Sequence, residues 1–191
     1  MKKYIFIALV VIFFNSCSIT NEKENRSLER FDKVSLVGNV ELHLERNSVH
    51  SMEVMANNAA DIANLITEVR NGKLYIYNKK DCDNCKNPKY IIYLNHSGIS
   101  NLTLTGIIKL LSDDGISQKD LAISGDGILN GNLEVSVNNL NVDLKGISNI
   151  YISGYADTSN LKITGIGMIN AASLKTKSVK KVSEGIVFIN K

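Results

Sequence analysis

Apolar and polar residues alternate along most of the chain beyond residue 30, and the alternation restarts at a near-constant interval. The repeated stretches are LTLTGIIKL, LAISGDGIL, VDLKGISNI, LKITGIGMI and KKVSEGIVF. Aligned on the apolar residue before each Ser/Thr/Lys-Gly step, their anchors are Leu104, Ile123, Leu144, Ile163 and Val182, spaced 19, 21, 19 and 19 residues apart. The last copy carries Glu184 where the others have glycine. An earlier copy, VSLVGNVELHL at Val34–Leu44, places Gly38 in the same context as Gly106. Period-two alternation predicts strands with one buried face. A segment of about twenty residues cannot bury such a face alone, whereas copies stacked in register bury one continuous apolar column. The pattern therefore predicts an all-β, single-domain β-solenoid, parallel β-helix-like, with coils of about 20 residues. An irregular N-terminal β region (31–100) would precede the regular repeats (101–191). Gly38, Gly106, Gly125, Gly127, Gly146, Gly165, Gly167 and Gly185 are the expected corners, where the backbone needs positive φ or close approach.

This recurrence decides how AISGDGILNG at 122–131 is read. A phosphate loop needs a following helix that presents free N–H groups, and here another strand pattern follows. A calcium site from Asp126, Asn130 and Asn132 uses suitable oxygen ligands. The other coils carry Ile107, Ile147 and Ile166 where this alignment puts Asp126, which excludes a repeated calcium ladder. The stretch is a corner in this reading, and no metal or cofactor is expected.

The first residues belong to export rather than to the fold. Lys2 and Lys3 precede YIFIALVVIFF, an 11-residue apolar run. It is too short to span a bilayer of about 30 Å as a helix and suits a signal-peptide core. Ser16-Cys17 at its end resembles a bacterial lipobox. That resemblance implies cleavage after residue 16 and lipidation of Cys17, and plain secretion with a free Cys17 thiol is the alternative. Residues 17–30, CSITNEKENRSLER, read as a flexible tether between a membrane-held anchor and a folded body at 31–191.

Composition adds little. The formal charge is +3, and part of it lies in the signal peptide: beyond residue 16 there are 20 basic and 19 acidic residues. Such balance gives no charged footprint for nucleic acid. Cys82-Asp-Asn-Cys85 lies between GKLYIYN and KYIIYL, as at a hairpin tip. In an oxidising envelope a structural disulfide is the favoured reading. Free thiols, a redox pair or a metal site remain alternatives. His43 alternates with Leu42 and Leu44 and is expected to face solvent; with His50 and His96 it forms no readable triad or zinc set. Asp113, Asp114 and Asp120 are the best carboxylate cluster, but adjacent strand residues point to opposite faces. Tyr75, Tyr77, Tyr90 and Tyr93 gather near the cysteines, where they either pack across strands or offer aromatic faces to a ligand.

The corners SGDGI (Ser124–Ile128) and TGIGM (Thr164–Met168) resemble those of the putative auto-transporter adhesin, head GIN domain family. The block Val37–Asn78, with TEVRNGKLYI at Thr67–Ile76, resembles that family's opening segment. The resemblance spans about Phe31–Lys191. It implies a β-helical envelope domain with an adhesion-type role and brings no catalytic residues with it. The expected protein is an outer-membrane lipoprotein of the cell envelope with an unidentified protein or glycan ligand. A polysaccharide-acting β-helix enzyme, or a scaffold or sensor binding another envelope protein, are the competing classes.

Overall fold

The computed structural model describes residues 22–79, 87–112 and 114–191. The signal segment, Cys17, Cys82, Cys85 and Asp113 lie outside the described residues. The described chain is all-β apart from one short helix. Its strands are β1 (Glu22–Ser27), β2 (Lys33–Arg46), β3 (Ser51–Ala56), β4 (Leu65–Arg70), β5 (Lys73–Asn78), β6 (Lys89–His96), β7 (Asn101–Ser112), β8 (Ile116–Asn170) and β9 (Leu174–Asn190). The helix α1 (Ala59–Asn64) is capped by Asn58, whose side chain accepts from the Asp61 N–H. All the strands join one sheet in the order β1-β3-β6-β2-β7-β8-β9, with β5 beside β2 and β4 beside β5.

Parallel stacking dominates from β2 onward. β2 pairs with β7, β7 with β8 and β8 with β9, all parallel and in register. The 55 residues of β8 also lie against one another at a step of 19. Asn139 donates to Asp120, Thr158 donates to Asn139 and Asn160 donates to Asn141, each across that step. The inward positions form apolar columns. One runs Val34, Leu102, Ile123 and continues by the same step through Val142 to Leu161, all buried. Burial of this alternating face supplies most of the driving force, at about 25 cal/mol per Å² of apolar surface.

Glycine recurs because the coils come very close. Gly38 pairs with Gly106, Gly106 with Gly127, and Gly165 with Gly185. Gly146 has φ +99°, and a Cβ there would stand 2.3 Å from the Gly127 carbonyl oxygen. No side chain fits at that distance. Gly125 differs from the corner expected there: its φ is not in the positive range, and a Cβ would meet Leu129 and Leu144 side chains instead. It is an inward position emptied of its side chain so that Leu144 fits.

The true register departs from the sequence alignment in two places. Leu104 pairs with Gly125, and Leu102 pairs with Ile123. Val182 pairs with Lys162 while Ile163 pairs with Ser183, so Gly185 rather than position 184 aligns with Gly165. Coil lengths are unequal, and the chain inserts its surplus residues away from the glycines.

The N-terminal region also corrects two expectations. β5 and β6 are not hairpin partners; both run parallel to β2 on the same side, end to end. Their inward Leu74, Ile76, Tyr90, Ile92 and Leu94 are buried like Val34, Leu36, Val40, Leu42 and Leu44 beside them. β5 does form a hairpin, but with β4, through Asn71 (φ 51°) and Gly72 (φ 72°). That is the positive-φ pair a two-residue turn requires. The second correction concerns the tether: Glu22–Ser27 is the strand β1, paired antiparallel with β3. Its sequence carries no apolar residue to reveal this. Arg26 holds it, donating to the carbonyls of Ile62 (2.9 Å) and Leu65 (2.7 Å) around the end of α1. Charged side chains on this edge also discourage further strand pairing.

Candidate functional site

Two irregular segments create the principal groove. Leu111 pairs with Asn132 at an offset of 21 residues, yet Gly115 lies against Glu134. The register therefore changes by two residues between Leu111 and Gly115. On the other side, a Cβ at Gly167 would meet the Ser148 carbonyl, 19 residues back, while Leu174 pairs with Gly154, 20 residues back. Here the surplus falls in the turn at Ala171–Ser173. Ser112 returns to the ladder by accepting from the Glu134 N–H (2.8 Å). Asn170 pins the other turn, its side-chain oxygen accepting from the Ala172 N–H (3.2 Å). Between these two departures lies a cavity of about 390 Å³ with Tyr151, Asn132, Glu134, Ser153, Asn170 and Ser173 in its wall.

Tyr151 is 50 % exposed. Alternation forces it outward, because Ile150 and Ile152 on either side are buried. Its hydroxyl, the Asn132 amide, the Glu134 carboxylate and the Ser173 hydroxyl make no hydrogen bond or ion pair with another described residue. An aromatic face with unpaired donors and acceptors around it is suited to holding a polar molecule.

The tyrosines near the cysteines are committed elsewhere. The Tyr77 hydroxyl donates to Glu68 (2.8 Å), and Tyr90 donates to Asn78 Oδ1 (2.8 Å) and to the Asp61 carbonyl (3.0 Å). Burial pushes the Tyr90 hydroxyl up to about 12. Tyr75 lies beneath the Arg70 and Lys73 cations. Tyr93 stacks on His43 with ring centroids 4.5 Å apart. Covered in this way, and 3.3 Å from Glu41, His43 is not the free solvent-facing side chain expected from the alternation. Glu41 also meets Lys109 at 3.0 Å and Lys89 at 3.5 Å; the Lys109 hydrogen bond leads in holding its carboxyl below the usual range.

The remaining sequence candidates do not converge. Asp114 accepts from the Arg46 N–H (3.1 Å) and Asp120 from the Asn139 amide (2.6 Å), so each is engaged in a different place. His50 packs edge-on to Phe31, 4.7 Å between centroids. His96 is buried with both ring nitrogens unpaired, and burial, aided by His50 and Arg46, lowers it to about 4. Among the described residues no three His, Cys, Asp or Glu side chains are grouped to hold a metal. Asp126 pairs with Thr105, so the outward isoleucine of its coil is Ile128, in line with Ile107. Tyr151 escaped the sequence reading. Its only signal was an outward tyrosine whose stacked neighbours one step away are both asparagine, and that needs the correct register to see.

The described residues thus form a stacked, all-β protein with an open groove on its outward face. The profile of the family described as "putative auto-transporter adhesin, head GIN domain" matches residues 30–186, and the chain belongs to that family. No curated protein sequence matches it. Among solved structures, a putative adhesin from Bacteroides fragilis is similar at 20% identity and TM-score 0.78, over 90% of this chain and 80% of that one. A protein from Parabacteroides distasonis described as a putative lipid binding protein aligns at 17% identity and TM-score 0.62, covering 90% and 96%. A putative adhesin from Parabacteroides merdae aligns at 16% and 0.58, covering 88% and 80%. At these identities the likeness is one of fold. An adhesin-type family points to the envelope or the extracellular side. No helix among the described residues is long and apolar enough to cross a membrane.

Proposed function

We propose that this chain is an envelope lipoprotein with a non-catalytic, adhesion-type role. In this reading Cys17 carries the lipid, and the stacked coils form a β-solenoid that holds a binding surface rigidly away from the membrane. The observation that carries it is the Tyr151 groove: an aromatic face and the unpaired side chains of Asn132 and Glu134 fixed on β8, with the Ser173 hydroxyl on the adjoining turn. A site built on paired strands keeps its geometry without a ligand, which favours binding by preorganisation. The family supports the adhesion-type role. Glycoside hydrolysis needs two carboxylates facing across the scissile bond, and Glu134 is the one carboxylate among the described residues of the groove wall. That favours holding a ligand over cleaving it. The experiment is an array of immobilised glycans and extracellular-matrix proteins probed with the intact chain. Saturable retention on at least one of them is expected. No retention above that of a denatured control on any spot overturns the reading.

A further inference from the structure

We infer that the Tyr151 groove is a subsite for a single neutral sugar unit, an inference that rests on the binding role proposed above. A pyranose presents one face of C–H bonds and an edge of hydroxyls. The C–H face matches the half-exposed Tyr151 ring, since aromatic side chains join apolar area to a polar tip. The hydroxyls both donate and accept, and the wall offers both kinds of partner. The Glu134 carboxylate accepts, the Asn132 amide does both, and the Tyr151 and Ser173 hydroxyls do both.

Charge narrows the class. Among the described residues of the wall Glu134 is the only formally charged side chain, so a uronic or sialic acid would bring a second negative charge against it with no cation among them to answer. Size narrows it further. A volume of about 390 Å³ lies near the low end of the range of about 300–1,000 Å³ typical of small-molecule sites. The groove takes one ring and leaves the rest of a glycan in solvent. A peptide strand fits poorly here. Strand addition needs an unpaired edge, and the edges of this sheet are β1, β4 and β9, whereas the groove is centred on stacked positions of β8.

The test uses the intact chain and four neutral probes: methyl glycosides of galactose, mannose, fucose and N-acetylglucosamine, with methyl glucuronide as the acidic comparator. Binding is followed by amide shifts in two-dimensional NMR. At least one neutral glycoside should produce saturable shifts centred on Tyr151, Ser153 and Ser173, with glucuronide weaker. Tyr151→Ala should weaken that binding by about tenfold or more and Glu134→Gln by about fivefold, while Tyr155→Ala stays within about twofold. All three altered side chains are on the surface, and an otherwise unchanged spectrum verifies the fold of each variant. Failure of all four neutral probes to shift these amides at tens of millimolar overturns the sugar assignment. So does binding that survives both Tyr151→Ala and Glu134→Gln undiminished. If the intact chain nevertheless binds elsewhere on the array described above, the adhesion-type role stands and only the subsite falls.

Discussion

Gly146→Ala isolates what holds the coils together. Two penalties combine at this position. The backbone sits at φ +99°, where an alanine is strained by about 1–3 kcal/mol. The added Cβ would also stand 2.3 Å from the Gly127 oxygen, 3.1 Å from its carbon and 3.2 Å from its nitrogen. Those are backbone atoms of the neighbouring coil, so no side chain can rotate away. Relief requires the coils to part locally by about 1 Å, which stretches a 2.9 Å hydrogen bond beyond useful length. Losing two such bonds costs about 1–3 kcal/mol. The sum is roughly 2–6 kcal/mol. Gly115→Ala is the control: φ is +71°, but the nearest atom is 3.5 Å away, so only the conformational penalty of about 1–2 kcal/mol remains. Urea unfolding of both variants at an unchanged m-value gives the comparison. Gly146→Ala should be the more damaging by about 2 kcal/mol. Equal losses at the two sites would refute the close approach of the coils as the reason for glycine.

Three further outcomes follow from the same structure. Leu144→Ala should cost about 3–5 kcal/mol because Gly125 beside it offers no side chain to collapse into the space; in the same unfolding assay, Val182→Ala and the exposed Lys145→Ala should each cost less than about 1 kcal/mol. His96 is held neutral when folded, with its value lowered from near 6.5 to about 4. The unfolded chain therefore takes up a proton first as pH falls. Stability from this residue is full above pH 6.5 and declines between 6.5 and about 4, by roughly 3 kcal/mol at the low end. His96→Leu should flatten that part of the pH–stability curve, and an unchanged slope would contradict the assignment. Mass spectrometry of protein from membranes should find acyl chains on Cys17, and Cys17→Ala should release the chain from the membrane fraction; an unmodified Cys17 in the membrane-bound chain would sink the anchor.

Much of the architecture was legible because it depends on local rules. Alternation marked the strands at Leu140, Val142 and Leu144 and again at Ile150 and Ile152, and the glycines marked the close approaches. Register was less legible. SGDG offers two glycines, and only stacking against Gly106 selects Gly127; Gly125 is empty for the sake of Leu144, a residue 19 positions away. Unequal coils hid the alignment of the last copy, because the surplus residue sits at Ala171–Ser173 rather than beside Gly185. β1 was illegible in principle. Its pairing uses backbone groups that every sequence has, and its specific contacts, Lys23 with Glu53 on β3 and Arg26 with carbonyls around α1, reach residues distant in sequence. The groove was missed for the same reason, since Tyr151 gains meaning only from the two irregular segments that flank it.

The central claim is that a rigid stack presents a binding surface at Tyr151. The most direct measurement is the retention under flow of beads coated with the intact chain, on surfaces bearing neutral glycans. Native coating should hold the beads, and Tyr151→Ala should reduce retention by about tenfold at equal coating density. Beads retained equally by both proteins, or by neither beyond an uncoated control, would contradict the account.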